Sequence, residues 1–218
     1  MQCRIQHNIM DIYLIRTNDL TFDNLAPYLD CVTPLRREVI ERRACDSAKV
    51  NSLISELLVL SEISRRTGIA QDRIKFRKGM HGKPYIKNKD GAWLEFSLSH
   101  TNGAVIAAFS EDGEIGIDIE RPDRRVSDAL YNRVLCEEER FHVTSGTDFL
   151  LAWVKKEAFL KRLGVGITRD LRGVNSLELP DTTAQSFGGF IVGISGKGAA
   201  DAQMIELPVG ELLKKYNI

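Results

Sequence analysis

The sequence predicts an α+β fold, in which strand-like and helix-like segments alternate along the chain. Some segments repeat apolar residues at helical spacing, and others are short apolar runs bounded by Gly, Pro, Asn or Asp. A length of 218 residues is enough for one large domain or two small ones with a sizeable core. Because no low-complexity tract, charge block or obvious repeat interrupts this alternation, we expect a globular protein.

The composition excludes several classes of protein. Thirty basic and thirty acidic residues cancel, so no global charge directs the chain toward nucleic acid or a membrane, and any bound anion must be held locally. The four cysteines have neither CxxC spacing nor matching histidine pairs, so we expect neither a zinc site nor disulfides. Reduced thiols, with no signal peptide or membrane-spanning run, predict a cytoplasmic protein.

The first elements are predicted to be a strand and two helices. Residues 1–15 contain a brief apolar run that is typical of a strand. Thr33-Pro34 indicates a helix start with proline at the first helical position, and helical periodicity then runs to about residue 44. A second helix is expected from about Asp46, over a stripe of Val, Leu and Ile residues, until Gly68 ends it.

Short strands are predicted in the middle of the chain. Turn residues separate the first of them, at Gly82, Pro84, Asn88 and Asp90-Gly91. The segments FSLSH (96–100) and AVIAAF (104–109) then predict buried strands, and a polar turn at 110–114 leads into the strand GIDIE (116–120). We expect this turn to divide the chain into an N-terminal half, 1–112, and a C-terminal half, 113–218.

Three helices are expected after GIDIE. Ser127 can cap a short helix to about residue 134, and CEEERFHV (136–143) starts another with glutamates in its first turn, where the helix dipole favours negative charge. Asp148 is the predicted N-cap of the longest C-terminal helix, and Gly164 is its predicted C-cap. Beyond this helix, repeated glycines indicate strands and loops.

Two acidic clusters about forty residues apart carry the most chemical information. Alternate residues of a strand share a face, so Asp118 and Glu120 of GIDIE present two carboxylates together, with Ile117 and Ile119 turned the other way. On the later helix, Glu157 and Lys161 share one side with Trp153, which we interpret as core packing. Carboxylates with a nearby lysine suit Mg²⁺ holding phosphate, and therefore indicate phosphoryl transfer.

Four motifs in a fixed order give the chain a family resemblance. They are GKPYI with Lys83, FSLSH with Ser99 and His100, GIDIE with Asp118 and Glu120, and WVKKEAFLK with Trp153, Lys156, Glu157 and Lys161. Together, over about residues 76–166, they resemble the 4'-phosphopantetheinyl transferases of the surfactin-synthetase-activating type. The resemblance implies two pseudo-symmetric α/β halves with coenzyme A bound in the cleft between them.

The resemblance also implies a reaction. The phosphopantetheine arm of coenzyme A would pass to a serine hydroxyl of an acyl or peptidyl carrier protein, leaving adenosine 3',5'-bisphosphate. Asp118, Glu120 and Glu157 match the residues that hold Mg²⁺ against the coenzyme A pyrophosphate in this family. A metal and a lysine clamp can neutralise the charge that builds on the transferred group and on the leaving phosphate. The covalently joined halves suggest a monomer.

Other residues have implied roles, each with a structural alternative. Lys161 would place its charge on the diphosphate, or would form a surface i,i+4 pair with Glu157. Ser99 and His100 would contact a phosphate at the nucleotide end of coenzyme A, or His100 would be a satisfied buried histidine. Lys83 would be a fixed cofactor-binding residue of a tight turn, or a solvated turn lysine.

Three more assignments carry alternatives. Lys156 would contact coenzyme A, or would belong to an ordinary basic helix face. Glu139 matches a position proposed as general base in the family, or is the reciprocal glutamate of a capping box that begins at Cys136. Lys49 is the nearest match to the family's 3'-phosphate arginine, although it is displaced by about two residues.

Two other functions would use the same residues. A Mg²⁺-dependent nucleotide-diphosphate hydrolase would share the carboxylates but cleave coenzyme A without a carrier. A noncatalytic module that binds coenzyme A or a carrier protein would keep the acids only as surface charge. For carrier docking we expect an apolar surface with local basic residues, and four arginines are candidates: Arg121, Arg124, Arg125 and Arg133. The alternative is that these arginines only form a solvated face.

Overall fold

A computed structural model describes residues 10–79, 81–86, 94–166 and 171–216, so the predicted strand residues 1–9 and turn residues 88–91 lie outside it. The strands are β1 (Met10–Arg16), β2 (Phe76–Lys78), β3 (Pro84–Ile86), β4 (Glu95–Thr101), β5 (Ala104–Ser110), β6 (Gly116–Glu120), β7 (Thr182–Phe187), β8 (Phe190–Ser195) and β9 (Gln203–Glu206). The α-helices are α1 (Phe22–Leu25), α2 (Pro34–Glu41), α3 (Asp46–Thr67), α4 (Asp128–Val134), α5 (Glu137–His142), α6 (Gly146–Leu163) and α7 (Val209–Leu213). None of the helices in these ranges is both long and apolar enough to cross a lipid bilayer.

The strands form two sheets and a hairpin, which confirms the α+β fold. The first sheet has the order β4-β5-β1-β9, the second sheet has the order β6-β8-β7, and β2 pairs with β3. β9 runs parallel to β1, and the other pairs are antiparallel.

Each sheet is built by the same succession of elements. In the first half, β1 is followed by the long helix α3 and the hairpin β4-β5, and β1 pairs with β5. In the second half, β6 is followed by the long helix α6 and the hairpin β7-β8, and β6 pairs with β8. This repetition is the expected pair of pseudo-symmetric halves. The C-terminal β9 and α7 return to the first half, and the boundary at 112/113 stays a prediction.

The two sheets lie between the two long helices, as four layers of secondary structure. α3 covers the outer face of the first sheet, the two sheets pack on each other, and α6 covers the second sheet. Ile117 and Ile119 lie in the core between the sheets, as predicted, so the carboxylates of β6 face the other way.

Most helix ends agree with the sequence. Thr33 caps α2 by accepting the N–H of Arg36, and α2 ends at Glu41, somewhat before the predicted residue. α3 ends at Thr67, and Gly68 is its C-cap, as predicted, with a φ of 70° that favours glycine.

The predicted N-cap of α6 was wrong by three residues. Ser145 is the N-cap, and its hydroxyl accepts the N–H of Asp148. Asp148 lies in the first turn, where its carboxylate accepts from the N–H and the hydroxyl of Thr144. Serine and aspartate both favour helix starts, and here Ser145 and Asp148 act together. The position of the aspartate alone therefore did not mark the first residue of α6.

Two glycines let α6 lie directly on the second sheet. Gly116 of β6 and Gly193 of β8 are on the face that carries Asp118, and Asp118 pairs with Gly193 in the register. A Cβ atom on Gly193 would overlap the carbonyl oxygen of Val154, which lies in α6. This close approach brings the helix over the acidic strand.

Gly193→Ala is therefore expected to destabilise the protein by roughly 1–3 kcal/mol, because α6 must move away from the sheet. Urea unfolding monitored by circular dichroism measures the change. Gly210→Ala is the matched control, since a Cβ atom at this position of α7 would not contact any neighbouring element. Unchanged stability of the Gly193 variant would contradict the close approach.

Candidate functional site

The candidate site lies at the seam where β4 and β6, the edge strands of the two sheets, run side by side. The hydroxyl of Ser97 accepts the backbone N–H of Ile117 at 3.1 Å. The hydroxyl of Ser99 donates to Oδ1 of Asp118 at 2.8 Å. The two halves are therefore joined here by serine side chains, and the predicted motifs FSLSH and GIDIE meet.

α6 adds a lysine to this seam. The ammonium of Lys161 donates to the hydroxyl of Ser99 at 2.8 Å and to Oδ1 of Asp118 at 2.7 Å. Asp118 is only 6% exposed, so its carboxylate is not a surface charge. The alternative of a surface pair between Lys161 and Glu157 is also wrong, because the ammonium bridges to the strand instead.

Glu157 carries the most unusual carboxylate of the site. Its side chain is buried, and its Oε1 atom has no hydrogen-bond partner. Burial, and then the negative charge of Asp118, raise the pKa of Glu157 to about 7, against the opposing charges of Lys161 and Arg124. An unpartnered buried carboxylate oxygen is costly, and a cation beside it would remove that cost.

Glu120 has a different partner. Its carboxylate forms an ion pair with Arg124, whose guanidinium carbon lies 4.8 Å from the centre of the Trp153 ring. Trp153 also stacks on Phe149 within the C-terminal core, in agreement with its predicted packing role.

The donor set fits a hard cation held by two carboxylates. Asp118 and Glu157 lie close enough for one charge to raise the pKa of the other, and one Glu157 oxygen has no partner. Within the described ranges, no group of three or more His, Cys, Asp or Glu side chains is placed to hold a metal ion. Mg²⁺ commonly takes one or two carboxylates and fills its other positions with water and substrate oxygens. The set of three ligands that includes Glu120 stays a prediction.

His100 ends β4 beside this cluster. Its ring is exposed, so the alternative of a satisfied buried histidine is wrong. Partial desolvation, and then the positive charges of Lys161 and Arg43, lower the pKa of His100. A neutral ring keeps one N–H donor beside two cations, which suits contact with an anion. The predicted phosphate contacts of Ser99 and His100 stay predictions.

Two family models match this chain over most of its length. Residues 114–210 match the model described as the 4'-phosphopantetheinyl transferase superfamily, and residues 21–112 match the model of the N-terminal region of 4'-phosphopantetheinyl transferases. The chain belongs to the 4'-phosphopantetheinyl transferase superfamily, a family of enzymes. The resemblance drawn from the four motifs is thereby confirmed.

Individual relatives agree with this family. The chain is 29% identical over 192 residues to the 4'-phosphopantetheinyl transferase Sfp of Bacillus subtilis. This alignment covers 80% of this chain and 82% of that protein. It is 32% identical over 151 residues to an L-aminoadipate-semialdehyde dehydrogenase-phosphopantetheinyl transferase of Candida glabrata, covering 63% of this chain and 56% of the relative. It is 28% identical over 121 residues to the 4'-phosphopantetheinyl transferase gsp of Aneurinibacillus migulanus, covering 53% and 49%. The match thus spans about half the length of the last two relatives.

Lys83, in the GKPYI motif of this superfamily member, has structural contacts. Its ammonium donates to the carbonyl oxygens of Ile115 at 3.2 Å and Arg162 at 3.1 Å, and pairs with Glu95 at 3.3 Å. These contacts tie the β2-β3 hairpin to the start of β6 and the end of α6. The alternative of a solvated turn lysine is wrong, and a role in binding coenzyme A stays a prediction.

Lys156 is completely buried, so the alternative of a basic helix face is wrong. Its ammonium donates to Oε2 of Glu139 at 2.6 Å, to the carbonyl oxygen of Val134 at 2.5 Å and to that of Leu171 at 3.2 Å. This geometry leaves the ammonium no open direction toward a ligand. The predicted contact of Lys156 with coenzyme A has no support in this arrangement.

Glu139 forms the capping box that the sequence offered as an alternative. Its Oε2 accepts the N–H of Cys136, and its Oε1 accepts the N–H of Ser176, both at 2.8 Å. Burial alone would raise the pKa of Glu139, but the hydrogen bonds from Lys156 and Ser176 outweigh it and lower this pKa. The carboxylate is fully buried and ionised, so the general-base prediction is left without structural support.

A cavity of about 750 Å³ opens beneath α2, between α3, the β2-β3 hairpin and β4; we call it the α2 cavity. Phe96 and Leu98 line one wall, on the face of β4 opposite to Ser97 and Ser99. Arg36 lines another wall and donates to the hydroxyl of Ser52 at 3.2 Å, while it pairs with Glu56 at 2.9 Å.

The sequence did not single out Arg36. Its position one turn into a proline-started helix was a signal, but the cavity is made by segments that are distant in sequence. Lys49, the predicted phosphate contact, is not among the residues that line the cavity. Its ammonium lies 5.1 Å from the centre of the Phe22 ring, and its role stays a prediction.

Proposed function

We propose that the protein transfers the 4'-phosphopantetheine arm of coenzyme A to a serine hydroxyl of an acyl or peptidyl carrier protein, in a Mg²⁺-dependent reaction that releases adenosine 3',5'-bisphosphate. One observation carries the proposal: Lys161, Asp118 and Glu157 meet at the seam of the two halves, with one buried carboxylate oxygen unpartnered. Membership of the superfamily and the names of the relatives support the same reaction.

Asp118 and Glu157 are the residues that would hold Mg²⁺. Two adjacent carboxylates repel a diphosphate, so this site needs an added positive charge before it can bind one. The bound ion would polarise diphosphate oxygens and neutralise charge on the transferred and leaving groups.

Lys161 supplies a second, fixed positive charge. Ser99 and Asp118 hold its ammonium at the seam, so its position is set before the substrate arrives. A charge placed in advance needs little rearrangement during the reaction, which is the main source of electrostatic catalysis. Ser99 also donates to Asp118 and thereby orients the carboxylate.

The adenosine end of coenzyme A fits the α2 cavity. Its volume lies in the range of small-molecule sites, and Phe96 and Leu98 supply an apolar wall on the face of β4 opposite to Ser99. Arg36 offers a planar guanidinium, which matches the geometry of a phosphate. We assign the 3'-phosphate to this region, near Arg36, in place of a site centred on Lys49.

The test is mass spectrometry of an apo carrier protein incubated with coenzyme A and Mg²⁺. We expect the mass of one phosphopantetheine to be added to the carrier, and no addition when EDTA removes the ion. Cleavage of coenzyme A without any carrier would favour the hydrolase, and binding without any product would favour the noncatalytic module. A panel of acyl and peptidyl carriers that all stay unmodified would contradict the proposal.

We also propose that the protein is a cytoplasmic monomer without nucleic-acid or membrane partners. Cys31, Cys45 and Cys136 are free thiols, which suits a reducing compartment. The balanced charge gives no general attraction to polyanions. Docking of the carrier near Arg121, Arg124, Arg125 and Arg133 stays a prediction.

A further inference from the structure

Arg124 lies beside the acidic cluster, by which we mean Asp118, Glu120 and Glu157. Its guanidinium forms an ion pair with Glu120, the last residue of β6. The Trp153 ring of α6 lies against the same guanidinium, with 4.8 Å between the Cζ atom and the ring centre. The side chains of Glu120 and Arg124 are 15% and 32% exposed, so the pair is partly removed from water.

The three acidic residues of the cluster differ in their partners. Asp118 has the ammonium of Lys161, and Glu120 has the guanidinium of Arg124. Glu157 has one oxygen without any hydrogen-bond partner. Arg124 holds Oε1 of Glu120, so a divalent ion that takes this oxygen must displace the guanidinium.

We propose that Arg124 is a resident counter-cation that competes with the divalent ion for Glu120 and so sets the metal affinity of the site. This inference rests on the proposed function, since it concerns the same ion. When the ion draws Glu120 away, the guanidinium keeps a favourable contact with the face of Trp153. The ring thus lowers the cost of separating the pair.

Removing the guanidinium is expected to tighten metal binding. In Arg124→Met, Glu120 loses its competing partner and the site loses one positive charge, so the Kd for Mg²⁺ falls about fivefold. Methionine keeps an unbranched apolar stem against Trp153. Isothermal calorimetry with Mg²⁺ alone, and spin resonance with Mn²⁺, measure the Kd without substrate or carrier.

Arg121→Met is the matched control. Arg121 lies in the same loop and pairs with the exposed carboxylate of Asp123 at 2.5 Å, outside the acidic cluster. Its removal also takes one positive charge from the loop, so its effect on the Kd should stay within about twofold. A fivefold effect of Arg121→Met would assign the change to general charge and overturn the proposal.

The mechanism of competition is tested in a Glu120→Gln background. There the carboxylate for which Arg124 competes is absent, so adding Arg124→Met should leave the Kd within about twofold. A persisting fivefold effect would show simple repulsion between Arg124 and the ion. The proposal of competition would also be overturned if Arg124→Met bound Mg²⁺ with unchanged or weaker affinity. A raised KM for coenzyme A with an unchanged Kd for the metal would overturn it too.

These outcomes separate the inference from the function on which it rests. If Arg124→Met and the wild type bind Mg²⁺ equally while carriers still gain phosphopantetheine, only the role of Arg124 fails. If no variant binds the ion and no carrier gains mass, the proposed function fails.

Discussion

Lys156→Met is expected to destabilise the protein by about 3–5 kcal/mol, although this lysine has no open direction toward a ligand. The change leaves the Glu139 carboxylate fully buried without its cation. It also removes the donor from the carbonyl oxygens of Val134 and Leu171, which belong to separate segments of the C-terminal half. Urea unfolding at pH 7.5 measures the lost free energy of unfolding.

Two further variants show whether the pair is responsible. Lys155→Met, at the neighbouring position outside the core, should change stability by less than about 0.5 kcal/mol. Adding Glu139→Gln to Lys156→Met removes the uncompensated charge and should restore at least half of the loss, because a carbonyl oxygen still accepts from Cys136 or Ser176. If the double variant is less stable than the single one, the loss is not due to the unpaired carboxylate.

The stability lost in Lys156→Met should depend on pH in a predictable direction. The pKa of Glu139 is lowered in the folded protein, so the pair contributes stability above the ordinary glutamate pKa and loses it as the pH falls. In Lys156→Met, protonation of Glu139 removes a buried charge. The deficit of this variant should therefore shrink as the pH falls toward 4.

The long elements were predictable because each is decided by local sequence. The apolar stripe and Gly68 define α3, and alternation in GIDIE places Asp118 on the face opposite Ile117. The order of motifs then indicated which charged residues to compare, because FSLSH, GIDIE and WVKKEAFLK lie on β4, β6 and α6.

The missed features depend on contacts between distant segments. Lys156 and Glu139 are 17 residues apart, and nothing local shows that both are buried together. β9 pairs with β1 from the other end of the chain, and its four residues have no strong strand pattern. The ion pair of Glu120 with Arg124 shares its spacing with an ordinary surface pair, so only the structure shows that it adjoins the acidic cluster.

Glu157→Gln is expected to reduce carrier modification by at least about 10², because it removes one of the two carboxylates assigned to the ion. Without metal, the same change should stabilise the fold at high pH. The folded pKa of Glu157 is about 7 against an ordinary value of 4.5, so the folded protein holds this proton more tightly. The contribution of Glu157 to wild-type stability therefore falls as the pH rises from 4.5 to 7, and its full penalty is present above 7.

The gain of Glu157→Gln should be near zero at pH 4.5 and should reach roughly 1–3 kcal/mol above pH 7. Thermal unfolding across this pH range, with EDTA, measures it. Adding Mg²⁺ should raise the Tm of the wild type and not that of the variant, because only the wild type binds the ion in the folded state.

Glu120→Gln is the control, since the carboxylate of Glu120 already has Arg124 as its partner and should give no such pH-dependent gain. A difference between Glu157→Gln and the wild type that does not grow between pH 4.5 and 7 would mean that Glu157 has a partner in solution, and the site would then lack the unpartnered oxygen on which the assignment of the ion depends.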